Sequence, residues 1–123
     1  MTESARASNL FRFPPEFRLH HKPEFDLLYR DGKRYSDPYF LVLTRPNSRT
    51  CPRLGLSVSG KAVGNAVNRN RVKRVVRESF RRNRQRLPAL DLVINARTPA
   101  KNAANSDLVK SLEQLWDKLA RHA

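Results

Sequence analysis

Cysteine is almost missing from this chain: Cys51 is the only one in 123 residues. No internal disulfide can form, and with no Cys or His at ligand spacing around it, no zinc site is expected. Long apolar runs are missing as well. The longest, Tyr39 to Leu43, falls far short of the roughly 18 residues that a membrane-spanning helix needs. Residues Met1 to Phe13 carry Glu3, Arg6 and Arg12 and lack the apolar stretch of a secretory signal, so a cytoplasmic location and no membrane partner are expected. Glycine is scarce, with 4 residues, and aromatics are spread from Phe11 to Trp116. That composition belongs to a globular chain, and the length suits one core better than two.

The side chains of chemical catalysis are also sparse. His20 and His21 are adjacent, so in regular structure they diverge, and His122 stands near the end of the chain. The carboxylates show no metal-ligand spacing, and Ser57 and Ser59 have no histidine nearby to activate them. Val63-Gly64-Asn65 lacks the glycines and lysine of a phosphate loop. The expectation is a protein with no catalytic residues and no metal ligands of its own.

Negative charge is withheld from one region. Between Asp37 and Asp91 the only acidic residue is Glu78, against thirteen Lys or Arg, whereas the two ends together are nearly balanced. The formal charge of +14 and pI near 11.2 are therefore concentrated centrally, the pattern of one face built for a polyanion.

What remains can be read as elements. Residues 1–16 form an irregular N-terminal extension interrupted by Pro14-Pro15, and 17–123 a single α+β domain. From Lys22, Pro23 suits a first helical position, Phe25, Leu28 and Tyr29 lie on one face, and Gly32 suits a C-terminal cap. Tyr39 to Thr44 reads as a strand, with Arg45-Pro46-Asn47-Ser48 as a turn. The next run alternates, with Leu54, Leu56 and Val58 toward a core and Gly55, Ser57 and Ser59 toward an open face.

A helix over about Asn65 to Gln85 buries Val72, Val75, Val76, Ser79 and Phe80, and opposes them with Lys73, Arg74, Arg77, Arg81 and Arg84. Pro88 stops it, and Asp91 to Asn95 reads as a buried strand. Asn105 or Ser106 can cap a last helix whose stripe is Leu108, Val109, Leu112, Leu115, Trp116 and Leu119. The predicted fold is α+β, a small sheet packed with three helices.

Two constellations stand out. Nine of the 18 residues from Arg69 to Arg86 are Lys or Arg, nearly all of them arginine. Pairs such as Lys73 with Arg77, one turn apart, repel by a few tenths of a kcal/mol each, a penalty that bound phosphates would remove. Arginine's planar fork grips phosphate oxygens in pairs and stacks on bases, which favours nucleic acid over a lipid surface. Phe25 and Tyr29, beside Lys22, Lys33 and Arg34, are either core packing or a platform for unpaired bases. A structural RNA binder of the ribosomal-protein type is the leading alternative, and composition alone does not exclude it. A helix-turn-helix DNA binder fits less well, because the basic helix follows a strand, so no DNA partner is expected.

Leu54-Gly55-Leu56-Ser57-Val58-Ser59, Gly64-Asn65-Ala66-Val67, Arg69-Asn70-Arg71-Val72-Lys73-Arg74 and Arg77-Glu78-Ser79-Phe80 together resemble the signature of the bacterial ribonuclease P protein. The likeness extends over about Phe17 to Leu119. It implies a mixed sheet with a left-handed βαβ crossover, and a catalytic RNA subunit and precursor tRNA as partners, with Mg²⁺ held mainly by the RNA. It also implies that Arg69, Asn70, Arg71, Lys73, Arg74, Arg77 and Arg81 face RNA, and that Phe25, Tyr29, Ser57 and Lys61 line a cleft for the single-stranded 5′ leader. Gly60 departs from the pattern, since family members commonly carry a basic residue there.

Overall fold

A computed structural model describes residues 18–19 and 22–122, so the expected extension over 1–16 lies outside the described residues. Helix α1 (Lys22–Asp31) leads into β1 (Lys33–Ser36), β2 (Phe40–Pro46) and β3 (Arg53–Ser57). A single turn α2 (Gly60–Val63) and the long α3 (Ala66–Asn83) then lead to β4 (Leu90–Ala96), and α4 (Asn105–His122) ends the chain. The sheet order is β1-β2-β4-β3, with β1–β2 and β2–β4 antiparallel and β3–β4 parallel. The α+β expectation holds, with three long helices and one extra turn.

Strand parity divides the core in two. Phe40 and Val42 on β2, Leu54 on β3, and Leu92 and Ile94 on β4 join Val72, Val76 and Phe80 of α3 and Leu108, Leu112, Trp116 and Leu119 of α4. The alternate residues Leu43 and Val93 meet Leu19, Leu28 and Phe25 on the opposite face. The sheet is thus covered by α3 and α4 on one side and by α1 on the other. Phe80 meets Trp116 edge-on, with ring centroids 5.9 Å apart, and the buried indole Nε1 donates to Ser79 Oγ at 2.8 Å. That bond explains why a serine sits on the apolar face of α3.

Several boundaries differ from the sequence reading. Strand β2 runs through Arg45 and Pro46, because Pro46 occupies the last position, opposite Leu90, where its missing N–H costs little. The turn begins at Asn47, whose side chain donates to Cys51 O and Asp91 Oδ1. Ser59 does not lie on the strand face: it is the N-cap of α2, and its Oγ accepts from Ala62 N at 3.1 Å. Asn105 and Ser106 are inside α4, and the backbone carbonyl of Ala104 receives the N–H groups of Asp107 and Leu108. Val109 leaves the apolar stripe and is 39% exposed. Gly32 N donates to Leu28 O at 2.8 Å but is not left-handed. Its glycine is required by space, since a Cβ would sit 2.4 Å from the Leu28 carbonyl oxygen. Strand β1 has no counterpart in the sequence reading, because its polar Lys-Arg-Tyr-Ser run carries no apolar period.

Candidate nucleic-acid interface

Edge strand β3 organises the site. On its α1 side, parity places Arg53, Gly55 and Ser57 in one row, beside Asp91, Val93 and Asn95 of β4. Helix α1 crosses these rows. Phe25 lies on Gly55 so closely that a Cβ there would be 2.6 Å from the ring. Leu28 packs with Leu43 and Val93, and Tyr29 Oη donates to Asn95 Oδ1 at 2.5 Å. The small residue at position 55 therefore makes room for the chain's own phenyl ring, so the face that the alternation left open is covered at this point. Tyr29 remains 42% exposed, and half-buried Ser57 is level with Asn95. Asn95 was not singled out by the sequence, although its parity with Val93 pointed it to this face. Its Nδ2 faces Leu41 O at 3.4 Å, which turns Oδ1 toward the tyrosine.

The start of α1 is held by charge. Arg53, its side chain 7% exposed, donates from Nε and Nη2 to the two oxygens of Asp91, both at 2.8 Å, and from Nη2 to Glu24 Oε2. The hydrogen bond to Asp91, with that to Glu24 and both nearby charges, raises the guanidinium's affinity for its proton, although burial opposes this. Glu24 lies in the first turn of α1, where the helix dipole also favours a carboxylate.

The basic helix runs along the other side of the same edge. Its N-cap is Asn65, whose side chain accepts from Asn68 N at 2.9 Å. Arg69 Nε donates to Val58 O at 3.2 Å, just past the end of β3. Two turns on, Arg77 lies close to Arg18, whose backbone bridges to Leu54 at the start of β3. Partial burial, then the Arg18 charge, push the Arg77 guanidinium below its ordinary value. Arg69, Lys73 and Arg77, spaced by four, thus form a cationic row beside the strand. Asn70 and Arg74 are exposed, Lys73 and Arg81 half-buried, and Lys61 is exposed on α2.

Arg71 stands apart from the row. Its Nε donates to Asn68 Oδ1 (2.8 Å), and Nη1 to Ala103 O (3.0 Å) and Asn105 Oδ1 (2.7 Å). Nη2 donates to Ala100 O (3.2 Å) and Lys101 O (3.3 Å). The guanidinium joins α3 to the 3-10 turn Thr98–Lys101 and to the first residue of α4. Its donors are engaged within the chain, so the structure gives it a fastening task that the motif alone did not reveal. Among the described residues, no group of three or more His, Cys, Asp or Glu is placed to hold a metal ion. No described helix is long and apolar enough to cross a membrane.

An α+β fold with Phe25 and Tyr29 on one side of an edge strand and a row of cations along the other defines a small, strongly basic protein built on one mixed sheet. The ribonuclease P family model matches residues 13–120, nearly the whole chain. The chain is 45% identical over 111 residues to the ribonuclease P protein component of Methylococcus capsulatus, covering 90% of this chain and 87% of that one. It is 40% identical over 111 residues to that of Aliivibrio fischeri, covering 90% and 95%. The Staphylococcus aureus RNase P protein structure superposes with a TM-score of 0.78 at 35% identity, covering 82% of this chain and 93% of that one. The Thermotoga maritima RNase P protein gives 0.75 at 34%, covering 86% and 97%. The chain belongs to the ribonuclease P protein family.

Proposed function

We propose that the chain is the protein subunit of a ribonuclease P. It binds the catalytic RNA through the basic face of α3 and holds the single-stranded 5′ leader of precursor tRNA in a cleft beside α1. It thereby promotes endonucleolytic 5′-end maturation. Hydrolysis belongs to the RNA subunit, whose phosphates hold Mg²⁺. The protein contributes charge neutralisation and leader positioning, and acts in the cytoplasm, where precursor tRNA is made.

One observation supports this reading over that of a structural RNA binder: Tyr29 is 42% exposed, with its hydroxyl already bonded to Asn95. An aromatic ring held in place but uncovered is equipped to stack on an unpaired base, at little further entropic cost on binding. Beside it lie Ser57, level with Asn95, and Phe25 over Gly55, and the row of Arg69, Lys73 and Arg77 runs along β3.

The test compares precursor with mature tRNA, using the protein assembled with its catalytic RNA at fixed salt. Tyr29→Ala is expected to cost about 1–3 kcal/mol for a substrate with a leader and far less for mature tRNA. Equal losses for both RNAs would return Tyr29 to a packing role and leave the leader unassigned.

A further inference from the structure

The cleft is only as well defined as the seat of α1, and that helix rests on the sheet at three levels. Near its end Tyr29 bonds to Asn95 of β4, and in its middle Phe25 and Leu28 pack on Gly55, Leu43 and Val93. At its start Glu24 meets Arg53, the first residue of β3. The last of these, the Glu24–Arg53 contact, is unusual in its energetics. Arg53 is already neutralised by Asp91 through two well-formed hydrogen bonds, and Asp91 is itself held by Asn47 Nδ2 at 2.9 Å. Glu24 therefore adds a second carboxylate to a cation that has one. Its Oε1 is buried with no hydrogen-bond partner among the described residues. A half-satisfied carboxylate in a nearly buried site is a poor way to gain stability, because desolvation offsets much of the attraction. What such a contact supplies is direction: only one placement of α1 along β3 and β4 brings Glu24 to the guanidinium.

That placement fixes the aromatic pair. Arg53 and Gly55 are two residues apart on the same face of β3, and Glu24 and Phe25 are consecutive on α1. Seating Glu24 on Arg53 therefore seats Phe25 on Gly55, and one turn later brings Tyr29 to Asn95. Sliding or tilting the helix by a fraction of a turn would break all three together.

We infer that Glu24, through its ion pair with Arg53, is the positioning residue of the aromatic cleft: it sets the register of α1 so that Phe25 and Tyr29 meet leader bases. This rests on the leader reading of the cleft. Glu24 touches no RNA in this scheme. The catalytic RNA, on the α3 side, is bound independently of it.

Glu24→Ala tests this selectively, because it leaves the Arg53–Asp91 pair, and so the β3–β4 pairing, in place. In the assembled ribonucleoprotein, the ratio of precursor to mature tRNA affinity is expected to fall about five- to tenfold, toward the loss of one base-stacking contact. Affinity for the catalytic RNA and the salt dependence of binding stay as in the parent protein. A 2-aminopurine placed in the leader, quenched when stacked, regains fluorescence in the variant. A merely structural role would lower thermal stability and weaken every RNA alike without singling out this signal. Glu24→Gln keeps the shape and an acceptor for Arg53, so its ratio and quenching lie between those of the parent and Glu24→Ala. It also decides the matter if Glu24→Ala does not fold.

An unchanged ratio with unchanged quenching, or equal losses for precursor, mature tRNA and catalytic RNA, overturns the inference. If the parent protein shows no preference for the leader, or Tyr29→Ala leaves that preference intact, the leader reading itself fails and this inference with it. If Tyr29→Ala abolishes the preference and the Glu24 variants do not lower it, only the positioning role is overturned.

Discussion

At the scale of single residues, the same side-chain type does different work at neighbouring positions. Arg69 and Arg71 stand two apart in one motif, yet Arg69 bonds to Val58 O, while Arg71 donates to five acceptors on Asn68, the β4–α4 connection and Asn105 at the start of α4. Arg71→Ala is accordingly expected to destabilise the fold by about 1.5–3 kcal/mol, the range for losing hydrogen bonds to a charged group. Urea denaturation monitored by circular dichroism reads this directly, and a midpoint unchanged from the parent would show that the bonds contribute nothing net. Gly55 gives a second example. A methyl group there meets the Phe25 ring at 2.6 Å, so Gly55→Ala should cost about 1–3 kcal/mol by overpacking and displace the ring from the cleft wall. Thermal unfolding checks the first effect and leader-dependent binding the second. The sequence showed that position 55 is small and faces away from the main core. It could not show that the space is filled by a ring 30 residues earlier in the chain, because that depends on how α1 lies across the sheet.

At the scale of elements, α3 was the most legible. Its buried set of Val72, Val75, Val76, Ser79 and Phe80 is the one its period predicts. Eighteen residues of regular spacing leave little ambiguity. Strand β1 was illegible for the opposite reason: four polar or exposed residues form a strand only because β2 offers an unpaired edge, and its charged side chains also discourage a further strand from joining. The length of β3 was overestimated because Ser59 continues the alternation in sequence while its hydroxyl turns to cap α2. The cap of α4 was misplaced because Asn105 has a competing partner in Arg71, which a local rule does not see. For the cationic face the expectation is uniform weakening: Arg74→Ala, at an exposed position, should reduce affinity for precursor and mature tRNA alike. The slope of log affinity against log salt should also fall by roughly one unit. A salt titration showing loss confined to the leader-bearing substrate would place Arg74 in the cleft instead.

At the scale of the whole molecule, 25 Lys and Arg against 11 Asp and Glu set what the protein does to its partners more than what they do to its fold. A net charge of +14 is self-repulsive in isolation and favourable against a phosphate backbone. The two faces of the sheet differ: α3 and α4 bury the larger core, with most of their arginines on α3, while α1 covers a smaller core and leaves the Tyr29 ring exposed. The charge asymmetry was plain in the sequence. That the α1 aromatics and the cationic row flank the same strand, β3, came only with strand order. The central claim is that this chain promotes cleavage by neutralising and positioning RNA while the RNA performs the hydrolysis. The direct measurement is precursor tRNA cleavage over a Mg²⁺ titration with the catalytic RNA alone, the protein alone, and both together. The account predicts no cleavage by the protein alone, and half-maximal cleavage at a clearly lower Mg²⁺ concentration when both are present, because bound cationic side chains replace counterions. Robust cleavage by RNA-free protein, or an unchanged Mg²⁺ requirement in its presence, would contradict it.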